Sequence, residues 1–234
     1  MKEELERTAL LLGEEAVSKL SSSHVLVFGV GGVGGHAVDA LARAGIGSIT
    51  IVDNDKVSAS NINRQMVALH STVGRSKVEV MKERILDINP DCSVDARELF
   101  FLPETADEFD FGKFDYVLDC VDTVSAKIAI ISEAKKAGVP VISAMGAGNK
   151  LDPAQFRVSD ISKTEYCPLA KVMRRELRQR GINHVDVCWS PEIPVKPSES
   201  EGRPVPGSVS FVPSVCGLVM AGRTVTVLAT KSSD

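Results

Sequence analysis

Residues 24–53 read HVLVFGVGGVGGHAVDALARAGIGSITIVD, and this stretch decides the fold. The run 24–30 is short, apolar and rich in β-branched residues, which predicts a strand. Over 36–44, Ala37, Leu41 and Ala44 recur at helical spacing, and Ser48–Asp53 (SITIVD) turns β-branched again. Strand, turn, helix and strand make a βαβ unit, whose crossover is right-handed. Between the first strand and its helix stands the glycine turn Gly29-Val30-Gly31-Gly32-Val33-Gly34-Gly35. Bare backbone at Gly29, Gly31, Gly32 and Gly34 lets amide N–H groups approach a phosphate at the helix N-terminus, where the helix dipole favours negative charge. Asp53 closes the second strand, where a carboxylate accepts bonds from ribose hydroxyls. These residues predict a nucleotide site. They do not separate NAD from ATP, because both carry ribose and phosphate.

Working outward, 54–75 is polar and aperiodic, and 77–88 has helical spacing closed by Asn89-Pro90. Strands are predicted at 92–99, 116–120 and 139–143, with a short helix at 105–109 and a longer one at 124–137. This alternation predicts an α/β fold, a doubly wound, Rossmann-like, mostly parallel sheet with helices on both faces. Past Gly146-Ala147-Gly148 the pattern changes to strands at 156–161 and 185–189 around a basic helix at 168–180, which extends the sheet by antiparallel strands. Residues 1–234 therefore read as one domain, a nucleotide-binding core in 1–150 and a substrate-facing elaboration in 151–234. The proline-rich stretch 191–207, PEIPVKPSESEGRPVPG, predicts a mobile loop. A strand and a buried helix are expected in 208–230, since Pro213, Gly217, Gly222 and Arg223 speak against a bilayer span there.

Composition sets outer bounds. A chain of 234 residues with 44% apolar and 25% charged side chains is long enough for a sizeable core and excludes disorder or a disulfide scaffold. Five cysteines without a CxxC pair write neither a zinc site nor a disulfide framework, and fit a reduced, cytoplasmic setting. The stretch MKEELERTALLLGEEAV lacks the apolar run of a signal peptide. A net charge of −4 argues against a nucleic-acid partner, yet 163–181 carries Lys163, Lys171, Arg174, Arg175, Arg178 and Arg180 against only Glu165 and Glu176. Such a helix supplies salt-dependent, sequence-independent affinity for phosphates, or serves as a solvated face.

Two further clusters narrow the chemistry. Past Asp53 come Asp55, then Asn61, Arg64 and Gln65, then Lys77 at a helix start. A reaction that expels pyrophosphate needs such cations to neutralise developing charge, whereas a dehydrogenase has no particular need of them. At the end of the fourth strand stand Asp119 and Asp122, where ligands bind in this architecture. Asp122, just beyond the strand, is the better Mg²⁺ ligand, and Asp119 orients the loop. GVGGVGG, DNDKVSASNINRQ, VGRSKVE and LDCVDT, in this order, resemble the ubiquitin-activating-enzyme-like adenylyltransferases, which activate carboxylates as acyl-adenylates with Mg-ATP. That resemblance implies glycines on the phosphates, Asp53 on ribose, Asn61, Arg64 and Lys77 on the triphosphate, and Asp122 on Mg²⁺. It also implies a homodimer in which Arg7, in ERTALLLG, reaches a site across the interface.

DISKT at 160–164, CPLAK at 167–171 and GSVSFVPS at 207–214 resemble, within that superfamily, the tRNA threonylcarbamoyladenosine dehydratases. The resemblance implies ATP-dependent cyclisation of threonylcarbamoyladenosine in the anticodon loop, with tRNA held by Lys163, Lys171, Arg174, Arg175 and Arg178. The alternative is adenylation of a ubiquitin-like sulfur-carrier protein, whose enzymes usually bear the CxxC pairs missing here. Whether a monovalent cation or a sulfur-relay protein partner also binds, these residues leave open. Ring closure within one substrate demands no enzyme nucleophile, so Cys92, Cys120, Cys167, Cys188 and Cys216 read as structural. His24, His36, His70 and His184 read as packing or surface residues, and Trp189 as core.

Overall fold

The computed structural model describes residues 2–196 and 206–230. Two helices, Glu6–Leu12 (α1) and Glu14–Ser22 (α2), lead into the strand His24–Phe28 (β1). Gly34–Arg43 (α3), Ser48–Val52 (β2), Lys77–Ile88 (α4), Ser93–Arg97 (β3), Tyr116–Asp119 (β4), Val124–Lys136 (α5) and Val141–Ala144 (β5) complete the alternating half. Arg157–Asp160 (β6), Pro168–Arg178 (α6), Asp186–Trp189 (β7) and Phe211–Thr230 (α7) follow.

One seven-stranded sheet runs in the order β3-β2-β1-β4-β5-β7-β6. All its neighbours are parallel except β6, which lies antiparallel on β7 with Arg157 opposite Trp189 and Asp160 opposite Asp186. The sheet thus continues through 157–189, with one antiparallel edge strand. Central β1 shows why the strands read as continuous apolar runs. Val25 and Val27 point into a core shared with α3, α4 and α7, while Leu26 and Phe28 point into a second core with α5 and α6. Each fully buried side chain of this kind stabilises the fold by about 1.5–3 kcal/mol. Phe101, Phe109 and Phe111 gather on Phe28, with ring centroids 4.5, 5.4 and 6.0 Å away, and pin the segment before β4 to the sheet.

Two regions depart from the sequence reading. No strand opens the stretch 208–230; residues 206–209 are irregular and α7 begins at Phe211. The backbone there is already satisfied by side chains, because Gly207 N–H donates to Asn149 Oδ1 and Ser208 O accepts Asn63 Nδ2. Pro213 sits in the first turn of α7, where its missing N–H costs nothing. α7 is long and apolar enough to cross a membrane by length and composition, but Val212, Cys216, Met220 and Leu228 are buried and the helix packs on α3 and α2. Of the expected mobile loop, 197–205 lie outside the described residues. Its flanks are pinned: Lys150 Nζ donates to Ser190 O and Glu192 O, and Val195 N–H donates to Asn149 O.

Candidate functional site

The glycine turn is built by backbone pressed against backbone. Gly29 has a φ of +87°, and a Cβ there would stand 2.8 Å from the Cys120 carbonyl oxygen. A Cβ on Gly34 would stand 1.8 Å from the Gly29 carbonyl oxygen. No larger residue fits either place, so the turn hugs the ends of β1 and β4 and leads straight into α3. Val33, at the N-cap of α3, offers no side-chain cap; Gly35 N–H donates to Gly31 O at 3.0 Å, and the N–H groups of Gly34 and His36 in the same turn suit a ligand.

Asp53 ties this turn to the loop after β2. Its Oδ2 accepts the Val30 N–H at 2.7 Å and its Oδ1 accepts the Asp55 N–H at 2.8 Å. Lys77, with its side chain only 6% exposed, opens α4 and pairs with Asp55 Oδ2 at 2.7 Å. Asn61 Oδ1 accepts the Ser58 N–H and caps the single 3₁₀ turn that presents Arg64. Arg64 lies over the glycine turn, its Cγ 3.4 Å from where a Gly32 Cβ would be, and its carbonyl is held by His36 Nε2 at 3.3 Å. Gln65, 9% exposed, faces Gly31, and its Oε1 has no hydrogen-bond partner among the described residues. A buried amide oxygen left unpaired costs about 1–3 kcal/mol. A polar ligand in the cleft suits this group, so the residues present fit a nucleotide.

The two carboxylates after β4 are opposites. Asp119 is fully buried, paired with Lys127 Nζ at 2.9 Å and bonded by Ser143 Oγ at 2.5 Å. Asp119 Oδ1 also takes the Val121 N–H, and Lys127 Nζ the Val121 carbonyl, so the pair fixes both polar groups of the residue before Asp122. Asp122 itself is exposed, and Thr123 Oγ1 at 3.5 Å is the one hydrogen-bond partner of its carboxylate among the described residues. A free carboxylate on a fixed backbone suits a divalent cation.

A model described as the ThiF family matches residues 5–234. The chain belongs to the ThiF family. It is 46% identical to the tRNA threonylcarbamoyladenosine dehydratase of Bacillus subtilis, over 96% of this chain and 94% of that one. The crystal structure of the Escherichia coli tRNA N6-threonylcarbamoyladenosine dehydratase in complex with ATP superimposes with a TM-score of 0.89 at 36% identity, covering 96% and 93% of the two chains. By contrast, an adenylyltransferase and sulfurtransferase, UBA4 of Vanderwaltozyma polyspora, aligns at 42% identity over 59% of this chain and 31% of its own.

Elsewhere in this ThiF-family chain, the predicted residues divide. Lys163, Lys171 and Arg178 are exposed, with no ion-pair partner among the described residues. Together with Arg174, Arg175 and Gln179, Lys171 and Arg178 line a notch of about 290 Å³. Arg174 is turned inward, its Nη1 on Ile161 O at 3.2 Å, Thr164 O at 2.9 Å and the Thr164 hydroxyl, so it clamps the turn before α6. Arg175 and Arg180 share Glu176. Arg7, on α1, is exposed and makes no ion pair among the described residues.

The thiols are quiet. Burial, with Asp119 beside it, pushes the Cys120 thiol well above its usual value, and Cys216 is pushed up by the hydrogen bond between its thiol and that of Cys188, 3.5 Å away, and by burial. Burial raises Cys92 to about 11. Cys167 is buried at the N-cap of α6. The sequence reading passed over Lys127, Ser143, Asn63 and Asn149. Only Lys127 left a signal: it shares one helix face with Ile130, Ile131 and Ala134, all buried, and a lysine on such a face needs a buried partner.

Proposed function

We propose that the chain catalyses ATP-dependent dehydration of threonylcarbamoyladenosine in tRNA. The threonyl carboxylate attacks the α-phosphate of ATP, pyrophosphate leaves, and an acyl-adenylate forms. The carbamoyl group then closes on the activated carbonyl within the same molecule, and AMP departs. Proximity supplies much of the rate of that second step, so no enzyme thiol is required. The observation that carries this reading is identity to the B. subtilis relative along nearly the whole of both chains. The UBA4 match, confined to a minor part of that protein, favours it over activation of a sulfur-carrier protein.

In this reading the free N–H groups of the glycine turn hold phosphate, Asp53 accepts from ribose, and Arg64 and Lys77 neutralise charge on the departing pyrophosphate. Lys77 then shares itself between Asp55 and the triphosphate. Asp122 would hold Mg²⁺, which when bound supplies charge stabilisation on the phosphate oxygens. Lys163, Lys171, Arg175 and Arg178 meet tRNA phosphates. The protein acts as a cytoplasmic homodimer with Arg7 reaching the partner's site. Leu10 and Leu11, beside Arg7 and 88% and 85% exposed, support a covered α1.

Incubation with Mg-ATP and tRNA bearing threonylcarbamoyladenosine tests the reading. AMP is released and the nucleoside loses the mass of one water; Asp122→Ala lowers turnover about 100-fold or more with an unchanged melting temperature. Turnover that needs a small protein ending in Gly-Gly, and ignores tRNA, would transfer the assignment to the sulfur-carrier alternative.

A further inference from the structure

Hydrogen bonds from two separate segments converge on Asn149, beyond the end of β5. Asn149 has a φ of 58°, in the left-handed region that asparagine tolerates better than other side-chain-bearing residues. Its N–H donates to Gly207 O at 2.8 Å, and Gly207 N–H donates back to Asn149 Oδ1 at 2.6 Å. Its carbonyl accepts the Val195 N–H at 2.7 Å. Gly207 is therefore gripped by backbone and carboxamide together.

From Gly207 the chain crosses to the nucleotide side. The next residue, Ser208, presents its carbonyl to Asn63 Nδ2 at 3.0 Å, and the Oδ1 of the same carboxamide accepts Arg64 Nη1 at 2.8 Å. An amide whose N end is fixed by a carbonyl can only offer its O end to a donor. The other hydrogen bond of the guanidinium among the described residues is to Ser60 O at 3.1 Å, and no carboxylate there pairs with it. Its direction is thus set by neutral acceptors, and its charge is unspent. A few residues on, Pro213 meets Arg64 over Gly32, each within 3.3–3.4 Å of where a Gly32 Cβ would be. One line of hydrogen bonds, from Asn149 through Gly207–Ser208 and Asn63 to Arg64, links the end of β5 to the glycine turn.

We propose that Asn149 is a positioning residue for Arg64, holding Gly207 so that Ser208 and Asn63 aim the guanidinium at the β- and γ-phosphates of ATP. This rests on the reading of Arg64 as a triphosphate ligand. Asparagine meets both demands at once, since it enters the left-handed region and carries an acceptor. Aspartate keeps both properties, while glycine keeps only the backbone conformation.

Dissociation constants for ATP and for AMP, measured by titration calorimetry on the full chain, test this. AMP lacks the two phosphates Arg64 serves, so a positioning defect separates the nucleotides and a general loss of structure does not. Asn149→Gly should weaken ATP about tenfold and AMP less than about twofold. Asn149→Asp should restore most of the ATP affinity. Asn63→Ala, at an exposed residue, cuts the same line without touching the core and should reproduce the ATP-specific loss. Combined with Asn149→Gly it should add little, since both variants break one chain of contacts. Equal weakening of ATP and AMP, additive losses, or an Asn63→Ala variant with unchanged ATP affinity would each overturn the proposal. Arg64→Ala is the reference: if it leaves ATP binding unchanged, the reading of Arg64 itself fails and takes the proposal with it. If Arg64→Ala weakens ATP while Asn149→Gly does not, only the positioning role falls.

Discussion

At the glycine turn the backbone approaches itself so closely that a Cβ on Gly34 would lie 1.8 Å from the Gly29 carbonyl, whereas across the cleft side chains do the holding. There Lys150 Nζ donates to the carbonyls of Ser190 and Glu192, the Glu192 carboxylate accepts the N–H groups of Leu151 and Asp152, and Asn149 grips Gly207. The first wall is made rigid by what is missing from its residues and the second by what its residues carry. A wall of the first kind fails all at once when atoms are added, because backbone cannot move aside. A wall of the second kind loosens bond by bond.

The sharpest break in this comparison is Gly34→Ala. It should yield no folded protein, a loss beyond about 4 kcal/mol visible as absent cooperative melting. Gly31→Ala, whose new Cβ meets nothing nearer than 3.8 Å, should melt like the parent. Lys127→Met comes next. It leaves the Asp119 carboxylate buried and unpaired and should cost about 3–5 kcal/mol by urea denaturation. The basic helix sharpens the contrast between residues that hold structure and those that face outward. Lys171→Ala with Arg178→Ala should flatten the logarithmic salt dependence of tRNA binding by about two units at an unchanged melting temperature. Arg174→Ala should lower the melting temperature and leave that slope alone.

The smallest effect is on pH. Burial, against the opposing field of Asp115, pushes His24 below its usual value of 6.5, so the folded state prefers the neutral ring that meets Thr50 Oγ1 at 2.9 Å. The unfolded chain then binds a proton first as the medium is acidified. This share of stability is complete above about pH 6.5 and is lost as pH falls through the folded value. Replacing His24 with Asn should make the urea midpoint less dependent on pH in that window.

Legibility in the sequence followed the same division. The glycine turn, Asp53 and the βαβ unit were readable because each obeys a local rule, in which residue type and spacing alone dictate the geometry. Asp122 and Asp119 were readable as a pair, and the exposure of the first and the burial of the second follow from one residue being outside the strand and the other within it. Arg174 looked like its neighbours on α6, and only the turn at 161–164 packed against it turns its guanidinium inward. The stretch from Ser208 reads as the start of a strand because its side chains allow one. Carboxamides more than fifty residues away in the chain hold its entry instead, Asn149 at Gly207 and Asn63 at the Ser208 carbonyl.

The sequence by itself determined the alternating strands and helices of 24–144, the glycine turn between β1 and α3, and the carboxylates set at the ends of β2 and β4, since these depend on periodicity, on missing side chains and on strand ends. The tertiary structure alone decided which charges stay free. A lysine or arginine is spent or available according to what the fold sets beside it, as Asp119 is set beside Lys127, Thr164 beside Arg174 and only neutral acceptors beside Arg64. Electrostatic pairing acts over a few ångströms in space, and spacing along the chain carries no record of it.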